Sequence, residues 1–341
     1  MLYKQEIGSI KKPDYLIKAY GKEEYNILKK RALEETVQMM ESAGLDNIGV
    51  GGEMYRWEMY ENPIDHLDGL VYYGKVKSFD NKYYKKASVV NKIGRKSSAY
   101  LEEFLDVQKV TKKDIKVPIT GPYTLLDWSF NDYYSSRRDL GFDFAKVVRE
   151  ELIELKNNWN GKGQLKIQID EPAASTHPSE IDLFVEIFNE SVNKIEGVKI
   201  SSHICYSKDY RTLYPQILDM KTTQLALEFS NRDTIQLGTD DYSRQGFRVL
   251  KDLKDFGENR EIGIGVIDVH TDFIEPPELV RDRILYVAKF YELDKIVINP
   301  DCGLRTRSRD VAFKKLKSMV EGTLLASPFP LIVKNGISPN S

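Results

Sequence analysis

An α/β fold, the TIM (β/α)8 barrel, is predicted by three observations. The sequence has eight short β-rich runs, amphipathic helical patterns follow most of them, and the later runs are spaced by ~25 to 35 residues, the rhythm of βα units. The first run is EIGS (6–9), followed by EEYNILKKRALEETVQMMESA (23–43), whose apolar residues recur at three and four spacing. NIGVGGE (47–53) is the second run. After it, the segment from Gly69 to Val90 alternates apolar and polar residues around Asp80-Asn81 and reads as an inserted β-hairpin. KVPITGP (116–122) is the third run and LKIQID (165–170) the fourth, with the helical pattern FDFAKVVREELIELKNN (142–158) between them. VKISSHI (198–204), preceded by PSEIDLFVEIFNESVNKI (178–195), QLALEFS (224–230) and EIGIGVIDV (261–269) come next. KIVINPD (295–301) closes the series between PPELVRDRILYVAKFYEL (276–293) and RDVAFKKLKSMVEGTLLA (309–326).

A doubly wound open sheet would show a similar alternation, but its glycine-rich phosphate fingerprint is missing. No repeat, low-complexity tract or Pro/Ser-rich linker divides the chain, so residues 1–341 read as one domain. With 41% hydrophobic and 30% charged residues and a net charge of -2, neither disorder nor nucleic-acid binding is indicated. MLYKQEIGSI lacks the apolar core of a signal peptide, and no segment approaches the ~18 apolar residues of a membrane span, so the expected location is the cytoplasm, with no membrane partner. Two cysteines far apart in such a chain argue against a disulfide framework.

Chemistry in a TIM barrel sits at the C-terminal ends of strands. Those ends hold Ser9, Glu53, Asp170 with Glu171, His203 with Cys205, Glu228, His270 and Cys302. Both cysteines and two of the four histidines fall there, which points to a metal rather than to scattered buried thiols. His203, Cys205, Glu228 and Cys302 offer one nitrogen, two sulfurs and one oxygen, a donor set suited to tetrahedral zinc and unsuited to magnesium or calcium. The ligands come from three strand ends rather than from a close C-x-x-C pair, which suggests catalysis over a structural staple. A thiolate-rich zinc activates thiols, so the set suggests thiol alkylation. The bland readings are a helix cap for Asp170-Glu171, a structural imidazole for His270 and core or lid aromatics for Trp128 and Phe130. His66 and His177 fit no ligand pattern, and Arg305 and Arg307 are candidates to meet an anion.

The segments IGS (7–9), GE (52–53), GPYTLLDWSF (121–130), IQIDEPA (167–173), HICYS (203–207), GIGVIDVHT (263–271) and NPDCGLRTR (299–307) resemble, in order, the catalytic domain of cobalamin-independent methionine synthase. The resemblance spans nearly the whole chain, and IDEPA and NPDCGL are its most distinctive parts. It implies a TIM barrel that methylates homocysteine at zinc, with His203, Cys205, Glu228 and Cys302 as ligands. It also implies that Ile7, Ser9, Glu53 and Asp170 hold the amino acid part of homocysteine, that His270 gives a proton to the departing methyl carrier, and that Trp128 meets the folate ring.

Two departures concern the methyl donor. The N-terminal barrel of the long family members is expected to be absent, because IGS begins at residue 7, and the loop after IDEPA reads ASTHPSE, without the further acid of those enzymes. Short relatives that take the methyl group from methylcobalamin or a corrinoid protein put that donor first, and a reduced folate or pterin second. Two competing functions are alkyl transfer to another thiol such as coenzyme M, which has no ammonium group for Glu53 and Asp170, and a non-catalytic zinc-binding role.

Overall fold

In a computed structural model the protein is described over residues 2–50, 54–77, 83–161 and 163–327. The strands are β1 (Tyr3–Lys4), β2 (Asn47–Gly49), β3 (Leu67–Lys77), β4 (Tyr83–Arg95), β5 (Asp114–Thr120), β6 (Phe130–Asn131), β7 (Leu165–Asp170), β8 (Lys199–Ile204), β9 (Gln224–Leu227), β10 (Glu261–Gly265) and β11 (Ile296–Asn299). Eight of them form one sheet in the order β1-β11-β10-β9-β8-β7-β5-β2, with every pair parallel. The two end strands meet through the Asp46 N–H donating to the Lys4 carbonyl (2.9 Å), while the Lys4 N–H donates to Asp46 Oδ2 (2.8 Å). The result is a nearly closed (β/α)8 barrel, as the alternation of runs predicts.

The five predicted helical patterns all contain helix: Tyr25–Ala43, Arg137–Asn157, Ile181–Ser191, Pro277–Val287 and Arg309–Ala326. Their buried faces, such as Phe144 and Leu152 or Phe184 and Ile187, pack on outward-facing strand residues including Val117, Ile167 and Ile169 in one apolar core. The barrel interior is different. Period-two alternation that puts Ile167 and Ile169 outside puts Gln168 inside. Polar side chains meet across the lumen: Gln5 Nε2 donates to Gln224 Oε1 at 2.8 Å, although β1 and β9 are separated by two strands.

The hairpin insertion is present after β2, with β3 and β4 antiparallel and the short β6 added parallel to β4. Its predicted Asp80-Asn81 turn lies outside the described residues. One expectation needs correcting: EIGS is not the first strand. β1 ends at Lys4, Gln5 makes the last ladder bond to the Ile298 carbonyl (2.8 Å), and residues 6–9 form the loop that leaves the barrel. Among the described residues no helix is long and apolar enough to cross a membrane.

Candidate active site

The C-terminal end of the barrel opens into a cleft of about 880 Å³. Ile7, Ser9, Trp128, Asp170, His203, Cys205, His270 and Cys302 line it, so most of the residues read from strand ends converge on one space. Glu53 lies outside the described residues.

The floor is a group of three potential metal ligands. A ring nitrogen of His203 and the sulfurs of Cys205 and Cys302 lie within 4.8 Å of one another. His203 is the penultimate residue of β8, Cys205 follows the strand directly, and Cys302 lies three residues past β11. His203 Nδ1 is 2.9 Å from the Ala226 carbonyl, an acceptor only, so Nδ1 carries a hydrogen and Nε2 is the nitrogen turned inward, 3.5 Å from Cys302 Sγ. Burial lowers the His203 pKa, but the Cys302 sulfur beside it and the nearby acids overcome this and raise it to about 9. The two thiols share a proton unequally. A hydrogen bond from Cys205, with His203 close by, holds Cys302 well below the usual thiol range, while the same contact and burial push Cys205 well above it.

Glu228 stands just past β9 and outside the 4.8 Å group. Its Oε2 accepts from the Tyr206 N–H (2.9 Å), and its buried Oε1 has no hydrogen-bond partner among the described residues. Burial and the Cys302 charge raise its pKa to about 7. A buried acceptor without a donor, beside two sulfurs and an aimed imidazole nitrogen, is the pattern expected where a cation completes the site. The residues therefore fit a soft divalent metal. Tyr206, between Cys205 and this contact, adopts a left-handed backbone (φ 58), an uncommon conformation for a non-glycine residue.

Asp301, which the sequence reading passed over, ties these ends together. Its Oδ1 accepts from the N–H groups of Phe229 (2.8 Å) and Ser230 (3.0 Å), and its Oδ2 from Asn231 (2.7 Å). The carboxylate lies over β10, where a Cβ on Gly265 would come within 2.0 Å of Oδ1. The glycine of GIG thus makes room for the acid that fixes the turn after Glu228. On the other side of Cys302, a Cβ on Gly303 would meet Ser9 Oγ at 2.2 Å, so the glycine lets Ser9 approach the loop that carries Cys302.

The two adjacent acids at the end of β7 separate. Glu171 turns away and accepts from the N–H groups of Tyr123 (3.1 Å) and Thr124 (2.7 Å) and from Thr124 Oγ1 (2.6 Å), at the start of helix Pro122–Asp127. The helix-cap reading therefore fits Glu171. Asp170 faces the cleft, and burial raises its pKa to about 6, against the pull of His203, Gln168 and Arg56. His270 is exposed at the rim, its ring 5.9 Å from that of Tyr206. Trp128 stacks on Tyr84 of the hairpin at 5.4 Å, so the insertion backs one wall of the cleft. Arg305 lines the cleft, whereas Arg307 leaves it to pair with Asp272 at 2.8 Å. Half-buried His66 bonds Ser97 (2.7 Å) and exposed His177 bonds Asp127 (2.8 Å). Arg56 and Glu58 also line the cleft and had no motif to announce them.

Residues 5–324 match the family model described as the catalytic domain of cobalamin-independent synthase. A protein of Thermoplasma acidophilum named methionine synthase is 50% identical over 331 residues, covering 94% of this chain and 96% of its own. One of Pyrococcus horikoshii with the same name is 39% identical over 328 residues, covering 94% and 91%. Among solved structures, a B12-independent methionine synthase from Shewanella sp. W3-18-1, in complex with selenomethionine, superposes with a TM-score of 0.81 at 25% identity, over 95% of this chain and 98% of that one. A putative vitamin-B12 independent methionine synthase from Listeria monocytogenes shares the fold, with a TM-score of 0.73 at 16% identity over 95% and 99%.

Proposed function

The chain belongs to the cobalamin-independent methionine synthase family and is a methyltransferase of that type, and from this premise we propose that it methylates the thiol of L-homocysteine to give L-methionine, with zinc held by His203, Cys205, Glu228 and Cys302. The observation that carries the reading is the gathering of one imidazole and two sulfur ligand atoms within 4.8 Å, in the same cleft as Asp170 and Ser9. Zinc bound there would lower the pKa of a thiol brought to it, so that the substrate presents its sulfur as a nucleophile near neutral pH.

The protein's own groups supply the rest. Ala226 fixes the His203 tautomer, and Asp301 fixes the turn that carries Glu228. Asp170, joined by Glu53, meets the substrate ammonium, while Ser9 and the backbone at Ile7 meet its carboxylate. The selenomethionine bound to the Shewanella protein supports an amino acid as the occupant. Coenzyme M has no ammonium and would leave Asp170 without a purpose.

The corrinoid donor placed first by the sequence runs against the description of the family as cobalamin-independent, and the order is therefore reversed. The donor we infer is a methyl group on the nitrogen of a reduced folate or pterin, with a methyl-corrinoid second. Trp128 offers a flat ring in the cleft, and His270 is an imidazole at the rim able to protonate a departing nitrogen.

The test is methionine formation by zinc-loaded protein from homocysteine and either a methyl-tetrahydropterin or methylcobalamin, with Cys302→Ser as control. Product from the pterin is expected, and His270→Asn should slow it by about a hundredfold. Product from methylcobalamin alone, insensitive to His270→Asn, would restore the corrinoid. Failure of homocysteine to add a sulfur to the zinc shell, read by X-ray absorption, would sink the acceptor assignment and favour a non-catalytic zinc protein.

A further inference from the structure

We propose that Lys116 and Gln168 are a buried positioning pair that sets the direction of the Asp170 carboxylate and the Ile7 carbonyl, and through them the affinity of the pocket for an α-amino acid. The inference rests on the assignment of that pocket to homocysteine.

Gln168 lies two residues before Asp170 on β7 and therefore on the same side of the strand, inside the barrel. It is fully buried, and every polar atom of its amide is in use. Nε2 donates to Asp170 Oδ1 and to the Ile7 carbonyl, both at 2.7 Å, and Oε1 accepts from Lys116 Nζ at 2.8 Å. Lys116 is the reason the amide has this sense. Turned over, it would set its NH2 against an ammonium and its oxygen against two acceptors. The cation is itself held, because its Nζ also donates to the Glu6 carbonyl and lies 3.6 Å from Glu6 Oε1.

The chain of contacts has a direction. Lys116 on β5 orients Gln168, Gln168 engages one oxygen of Asp170, and Asp170 Oδ2 is left to meet an ammonium from the cleft. The same amide pins the Ile7 carbonyl, two residues before Ser9 in the same loop. Both ends of the proposed amino acid pocket are thus referred to one side chain. Stability gives little reason for such a group: a buried lysine and carboxylate are costly to desolvate, and apolar residues of similar volume commonly serve as well. Bidirectional orientation at the pocket gives a reason.

The experiment compares steady-state kinetics, bound zinc and melting temperature for Lys116→Met, Gln168→Met, Gln168→Glu and Asp170→Asn. Gln168→Glu retains an acceptor for Lys116 while removing both amide donors, so it carries the test if the Met variants do not fold. Loss of a hydrogen bond to a charged group predicts that the homocysteine KM rises at least about tenfold. The kcat should stay within about threefold, with zinc content unchanged. In the Asp170→Asn background, Gln168→Met should add clearly less than it does alone, because the part of its effect that passes through Asp170 is already lost and only the part through Ile7 remains. A normal KM in Asp170→Asn would overturn the pocket assignment itself. A raised KM in Asp170→Asn, with normal KM in Gln168→Glu and Lys116→Met or a fully additive double variant, would overturn the positioning role alone.

Discussion

At the end of β7, Asp170 looks into the cleft while Glu171 looks back at Tyr123 and Thr124, so one peptide bond separates a pocket acid from a structural one. The pocket acid has a pH signature. Burial raises Asp170 from the ordinary carboxyl range to about 6, with His203, Gln168 and Arg56 pulling the other way. Only the ionised form attracts an ammonium strongly, and the ionised fraction falls as pH drops through that value. Homocysteine affinity at constant zinc occupancy should therefore weaken between pH 7 and pH 5.5. Asp170→Asn should bind more weakly at pH 7 and show almost no change over that interval. Calorimetric titration across the range checks both, and an unchanged slope in the variant would assign the pH dependence to another group.

At the scale of elements, the contribution of Glu171 is to hold the first turn of helix Pro122–Asp127 on the end of β7. Glu171→Ala leaves three buried donors without an acceptor and should cost about 2 kcal/mol in denaturant unfolding, with zinc binding retained. Equal stability of the variant would show that water replaces the carboxylate. What the sequence made legible has the same elemental character. Strand ends were readable because β-rich runs stop at turn residues, and chemistry-bearing side chains such as His203 and Cys302 sit at those stops. The hairpin was readable because its alternation is local. The first run was misplaced because EIGS (6–9) lies directly after β1 and reads as its continuation, although the ladder to β11 ends at Gln5. Lys116, Gln168 and Asp301 were not readable as site residues. Apart from Asp170, two residues from Gln168, their partners lie 52, 110 and 70 or more positions away, and no local period or spacing reports those contacts.

For the whole molecule, the proposed ligand set ties β11 to β8 and β9, neither of which the sheet pairs with it directly. In the order β11-β10-β9-β8, the gathered His203, Cys205 and Cys302 come from the ends of β8 and β11, the proposed fourth ligand Glu228 comes from the end of β9, and the set would bridge over glycine-bearing β10. A metal there would clamp one arc of the barrel as well as serve its chemistry, since an ion that binds the folded chain more tightly than the unfolded one stabilises it by mass action. At a free zinc concentration a hundred times the dissociation constant this amounts to about 2.7 kcal/mol, which for a chain of this size raises the melting temperature by roughly 4 °C. Chelation should lower the midpoint by that amount and zinc should restore it. Cys302→Ser should melt where the chelated protein does and fail to respond to zinc, whereas Asp170→Asn, altered in the pocket but not in the ligands, should respond fully. A Cys302→Ser protein that still gained stability from zinc would place the clamp on other residues, and with it the metal.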